Sequence, residues 1–166
     1  MARPEQRGSK RGRVMLQRKQ TVFLLLALIL TVVCLCLPVG LFTPENMQPT
    51  SLMVNLWVNM PDGAHDYSVW PLFAVLLLSC PITIAAIFAY RNRIFQSRLC
   101  LLSMLLMLAW YAAYAVFGYA VPRVENAAFT PSLAAAFPLV NVILLLMARH
   151  GILADEALVR AADRIR

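Results

Sequence analysis

The sequence predicts an all-α membrane protein, built as a four-transmembrane-helix bundle with a small extracytoplasmic β-hairpin and a C-terminal amphipathic cytoplasmic helix. Three observations predict it. Four apolar runs, about residues 20–38, 69–90, 99–121 and 131–149, each have about the 17–25 residues needed to cross a hydrocarbon core about 30 Å thick. The 166 residues are 61% hydrophobic and 14% charged, with a mean hydropathy of +0.70, whereas a soluble domain sits near about 45–50% apolar and about 25% charged. A chain this short has no interior large enough for the surplus, which leaves lipid as its solvent. Finally, fourteen of the fifteen Lys and Arg residues fall on one side of the resulting topology.

Residues 1–14 are basic, contain Gly, Pro and Ser, and lack apolar periodicity, so they read as a disordered extension. Residues 15–166 form a single membrane domain. The first run, Thr21 to about Leu37, follows a basic segment as a signal peptide would. No small-x-small cleavage site follows it, and neither Val33 nor Leu35 is the small residue that lipoprotein processing needs before Cys34 or Cys36. An uncleaved helix starting near Lys19 is expected.

The loop 39–68 carries Glu45, Asp62 and Asp66 but no Lys or Arg. Leu52, Val54, Leu56, Val58 and Met60 alternate with Met53, Asn55, Trp57 and Asn59, the period of a strand. Pro61-Asp62-Gly63 then reads as a turn, with Ala64 to Val69 pairing back. A lone hairpin is marginal, so it should lie on the helix ends or the lipid interface, where Trp57, Tyr67 and Trp70 suit.

In the second run, Pro71 fits a first helical turn and Pro81 should kink the helix. A basic connector, Arg91 to Arg98, leads into the third run, whose late aromatics Trp110, Tyr111, Tyr114, Phe117 and Tyr119 suit an outer interface. Thr130-Pro131 reads as the cap and first turn of the fourth run, which Pro138 and Asn141 interrupt. Gly151 loosens its exit, and His150 reads as a C-terminal cation. The tail, 152–166, forms a separate amphipathic helix with Leu158, Ala161, Ala162 and Ile165 on one side and Glu156 four residues before Arg160.

The basic residues set the orientation. Seven precede the first run, three lie in the second connector (Arg91, Arg93, Arg98) and four in the tail (Arg149, Arg160, Arg164, Arg166); Arg123 stands alone on the other side. Basic residues stay cytoplasmic, so both termini are expected there. The same placement accounts for the net charge of +7 without a nucleic-acid partner.

Apart from Arg149 at the very end of the fourth, no Asp, Glu, Lys, Arg or His lies in any run, which argues against a proton or ion transporter. His65 beside Asp66 has no nucleophile motif or metal spacing with it and reads as a solvated loop histidine, so no enzyme, cofactor or metal is expected. The four cysteines read as packing residues rather than a disulfide framework. Asn141 is the most notable intramembrane polar residue. An interhelical hydrogen bond, or a bond to the carbonyl freed by Pro138, weighs more than a ligand contact. Ser79, Thr83 and Ser103 can bond their own helices, and the alanine pairs Ala85/Ala89 and Ala109/Ala113, with Ala134 to Ala136, offer close helix approach.

Three stretches resemble a known family. Met15 to Ala27 (MLQRKQTVFLLLA) resembles the opening of the uncharacterised bacterial domain of unknown function 4293, Asn92 to Cys100 its central basic connector, and Asp155 to Arg166 its closing helix. The resemblance covers Met15 to Arg166 and implies a four-helix protein of the bacterial inner membrane, with no activity attached. Residues 1–14 depart from the pattern, leaving Met1 and Met15 as alternative starts. All three motifs would share one face, so the expected interaction surface is Gln17, Arg18, Arg93, Gln96, Arg98, Asp155, Glu156, Arg160, Asp163 and Arg164. It would serve either to dock a membrane or cytoplasmic protein or to join the tail to the connectors through ion pairs. The expected role is a noncatalytic scaffold or accessory subunit; the alternative is a carrier or binder of a neutral or lipidic molecule within the bundle.

Overall fold

The computed structural model describes residues 6–44, 49–120 and 127–164, with side chains from Gln20 to Ala161 within those limits. In chain order the elements are α1 (Gln6–Cys36), β1 (Gly40–Pro44), β2 (Ser51–Met53), β3 (Val58–Asn59), β4 (His65–Asp66), α2 (Trp70–Phe88), α3 (Arg93–Ala115), β5 (Ala127–Pro131) and α4 (Phe137–Arg164). Three helical stretches, Tyr67–Arg91, Arg93–Ala120 and Leu133–Ala161, are long and apolar enough to cross a membrane; Gln20–Cys36 is a shorter apolar helix.

Each helix buries a narrow stripe. On α1 the buried residues are Gln20, Leu24, Ala27, Thr31 and Cys34, spaced by four and three. On α4 they are Pro138, Asn141, Leu145, Ala148, Ile152 and Asp155, again in steps of three and four. On α2 they are Leu72, Leu76, Ser79, Thr83 and Ala86. Alternating steps of four and three average 3.5 residues, the repeat that keeps one seam facing a neighbour along the length of a helix. The α1 and α4 stripes run antiparallel, because Gln20 bonds Asp155 and Thr31 bonds Asn141. The outward faces carry large apolar side chains instead: Leu25, Ile29 and Val32 on α1, Leu77, Leu78 and Ile84 on α2, Leu105 and Leu108 on α3, Ile143 and Leu146 on α4. A surface greasier than the seams it encloses suits lipid rather than water.

The strands form one antiparallel sheet in the order β4-β3-β2-β1-β5. β1 and β5 pair from Gly40↔Pro131 to Pro44↔Ala127. That pairing joins the α1–α2 connection to the α3–α4 connection, so both lie at one end of the bundle. The Pro61-Asp62-Gly63 turn forms between β3 and β4, and Gly63 occupies φ 83°, where a Cβ is disfavoured.

Asn55 ties the sheet to the helices. It is fully buried; its Nδ2 donates to the Cys34 carbonyl at 2.7 Å, its Oδ1 accepts from Trp110 Nε1 at 3.0 Å, and its carbonyl accepts from Phe73 N at 3.2 Å. Tyr114 adds a hydroxyl bond to the Val39 carbonyl at 2.7 Å and stacks on Trp110 at 4.8 Å. Phe129 of β5 packs over Gly40 and Gly118, where an added Cβ would come within 2.5 Å of its ring at either position.

Several expectations are corrected. The expected hairpin is part of a five-stranded sheet, because β1 and β5 meet across the bundle, and the expected Leu52–Met60 strand bends at residues 54–57 where Asn55 turns inward. Trp110 and Tyr114 are core residues rather than interface residues, since the sheet covers them; Tyr119 is exposed. Thr130 and Pro131 lie in β5, and the fourth run becomes helical at a 3-10 turn over Leu133–Ala136. Pro138 therefore falls in the first turn of α4, and beside it the Tyr111 hydroxyl donates to the Ala135 carbonyl at 2.6 Å and accepts from Leu139 N at 3.0 Å, standing in for the backbone bond between them. The tail is not a separate helix. The buried spacing of α4 stays in phase from Ala148 through Gly151 to Ile152 and Asp155, so α4 continues to Arg164 and His150 lies within it. The tail's buried side is consequently Ile152 and Asp155, while Leu158 is exposed. Residues 6–14, expected as an irregular arm, lie within α1; extending an existing helix adds one bond per residue fixed. Ala85 and Ala109 face outward, and Ala86 takes the seam position. The connector residues 121–126, with Arg123, lie outside the described residues, as do residues 1–5.

Candidate functional site

The ends of the helices opposite the sheet carry the charged groups. The first turn of α3 begins at Arg93, capped by the Asn92 side chain, which accepts from Phe95 N at 3.2 Å. This turn presents Arg93, Gln96 and Ser97 toward the buried stripes of α1 and α4. Asp155, one step beyond Ile152 on the α4 stripe, is 6% exposed and accepts from Gln20 Nε2 at 3.0 Å. Its Oδ2 also lies 3.6 Å from an Arg93 guanidinium nitrogen. A buried carboxylate requires such partners, because removing it from water unpaired costs several kcal/mol. A second clasp joins α4 to α3, with Arg149 Nε donating to the buried Ser97 Oγ at 3.2 Å. Gly151 permits the Gln20 contact; a Cβ there would lie 3.2 Å from Gln20 Cγ and Nε2.

Beside the Asp155 cluster is a small pocket of about 20 Å³, lined by Gln20, Thr21, Tyr90, Arg93 and Gln96. Gln96 is 4% exposed, and its side-chain amide opens onto this pocket rather than bonding a described residue.

Of the expected surface, the fold brings Arg93, Gln96 and Asp155 together. Arg98 and Arg160 are exposed, and Arg160 pairs with Glu156 at 3.1 Å along α4. Gln17 and Arg18 lie on α1, and Asp163 and Arg164 end α4, with side chains outside the described residues. Gln20, Tyr90, Ser97, Arg149 and Gly151 complete the cluster and were not singled out together. Gln20 could have been found as the first residue of the α1 spacing.

Asn141 is fully buried, and its Nδ2 donates to Thr31 Oγ1 at 2.9 Å while Thr31 donates to the Ala27 carbonyl at 2.8 Å. The interhelical bond expected of it is present; its Oδ1 is buried without a partner among the described residues. Thr83 and Ser103 meet between α2 and α3 at 3.1 Å, and Thr83 and Ser79 also bond their own helix. In the sheet, His65 packs by Trp57 at 5.5 Å, and the Asp66 carboxylate accepts from Ser68 N and Oγ. Asp66 thus serves as a turn cap.

The family described as Domain of unknown function (DUF4293) matches residues 16–165, nearly the whole chain. No curated protein matches it. The chain belongs to the DUF4293 family, as its three end motifs foreshadow.

Proposed function

We propose that this member of the DUF4293 family is a noncatalytic protein of the bacterial inner membrane that scaffolds or accompanies a partner complex. In this reading it crosses the membrane four times, keeps both termini cytoplasmic and engages its partner through the charged end. One observation carries the proposal. Polar side chains between the helices bond one another, as Thr31 with Asn141 and Thr83 with Ser103 do, whereas Arg98 and Arg160 at the charged end are exposed.

The fourth crossing is supported by α1, whose outward residues Val22, Leu25, Leu26, Ile29, Val32 and Val33 are exposed and as apolar as those of the other helices. The concentration of arginines at the end opposite the sheet supports a cytoplasmic placement for that end. Carriage of a neutral or lipidic molecule inside the bundle is the second reading: Asn141 donates to Thr31, but its Oδ1 is buried without a partner among the described residues.

Charge reversal at Arg98, Glu156 and Arg160 together tests the reading. Crosslinking in intact membranes should give discrete adducts with the natural chain and none with the variant, at equal membrane abundance. Adducts that persist unchanged would sink the docking role. A carboxyl-terminal reporter active only outside the cytoplasm would sink the topology.

A further inference from the structure

The pocket beside Asp155 has the makings of a ligand site. Its volume, about 20 Å³, accommodates one or two groups the size of a water molecule, since one needs about 10–15 Å³. Arg93 lines it, and its contact with Asp155 at 3.6 Å is looser than the roughly 2.7–2.9 Å of a strong charge-assisted bond. Most of the guanidinium fork is thus left for another acceptor. Gln96 lines it as well, nine-tenths buried, with its amide opening onto the pocket rather than bonded to a described residue. An amide so placed can donate to, or accept from, a group that enters. Both residues sit in the first turn of α3, where the helix dipole favours negative charge.

Two flanking features narrow the ligand. Tyr90 lines the pocket and is 59% exposed, which places its ring at the mouth. Around it Phe88, Ile94 and Phe95 are exposed apolar residues, interleaved with exposed Arg91 and Arg98. Aromatic and basic side chains alternating at the end of membrane helices match the chemistry of a lipid headgroup and the upper part of its acyl chains.

We propose that this pocket seats the phosphodiester of an anionic phospholipid, its two charged oxygens meeting Arg93 and Gln96 while the acyl chains lie along Phe88 and Phe95. The inference rests on the chain being membrane-embedded but not on which leaflet the pocket faces. Occupancy would add a second acceptor to Arg93, so the lipid would brace the connector that already holds Asp155.

The test uses the full chain purified in neutral detergent, reconstituted with phosphatidylcholine containing phosphatidylglycerol, and read by native mass spectrometry of retained lipid. The natural chain should retain phosphatidylglycerol over phosphatidylcholine. Gln96→Leu, which leaves the Arg93–Asp155 pair in place, should cut that preference about tenfold, the worth of a hydrogen bond to a charged group. Arg93→Gln should abolish it. Phosphatidylglycerol retention equal in Gln96→Leu and the natural chain overturns the site. Inorganic phosphate, at matched ionic strength, should not displace the lipid; displacement would assign the pocket to free phosphate instead. A chain that stays soluble without detergent fails the membrane reading itself, separately from either lipid result.

Discussion

At the sheet end, Asn55 is fully buried and bonds α1, α2 and α3 at 2.7, 3.2 and 3.0 Å. At the opposite end, Asp155 has one bond at 3.0 Å and one ion pair at 3.6 Å, beside a pocket onto which the Gln96 amide opens. Both residues lie between helices, and each is polar in an apolar bundle. The difference is in enclosure. Asn55 is shut off from solvent and tied to three helices, although Ser51 Oγ of β2 is buried without a partner among the described residues, whereas Asp155 stands beside an open pocket. A buried polar group bonded to three helices specifies one arrangement of them, so the sheet end acts as the frame and the charged end as the part able to respond to a neighbour.

The contrast has measurable consequences. Asn55→Leu should be the most damaging, orphaning the Cys34 carbonyl and Trp110 Nε1 together. A loss of about 2–6 kcal/mol follows from one to three per unsatisfied group, read as a fall in the unfolding midpoint in detergent. A midpoint within experimental scatter of the natural chain would remove the basis for calling that end the frame. Asp155→Ala should cost less, about 1–2 kcal/mol, because Gln20 and Arg93 can turn to the pocket and its solvent. If it proved costlier than Asn55→Leu, the roles of the two ends would have to be exchanged. Arg160→Ala should move stability by less than about 0.5 kcal/mol, since the Arg160 side chain is 65% exposed and its bond to Glu156 lies along one helix. A larger loss, measured in the same denaturation series, would show that α4 beyond Asp155 supports the fold.

How much of this was legible depended on where polarity marks a face. The helices and their ends were legible because, in a chain this short, long apolar runs flanked by arginine suit a bilayer and little else. The packed faces were not, although the four-three spacing of Gln20, Leu24, Ala27, Thr31 and Cys34 stands in the sequence. In water an apolar stripe stands out against polar neighbours; in lipid the neighbours are also apolar, and Leu25 or Ile29 masks the seam. β1 and β5 escaped notice because Gly40–Pro44 and Ala127–Pro131 become strands only by pairing with each other across the chain. Asn55 was hidden by its alternating surroundings, which made it resemble a solvent-facing strand residue. In the candidate site, Arg93, Gln96 and Asp155 were legible from their motifs. Gln20 was not, because it sits at the edge of an apolar run where it reads as a boundary.

The unbroken course of α4 through Gly151 has a mechanical consequence. Its 28 residues span roughly 42 Å at about 1.5 Å per residue, more than the roughly 30 Å of hydrocarbon. One stiff rod therefore carries the Asn141 contact at one level and the Arg160 surface at another. A soft joint at Gly151 would let the protruding turns swing freely. Without one, leverage applied to those turns must tilt or rotate the rod as a whole, and the strain arrives at Thr31 on the neighbouring helix.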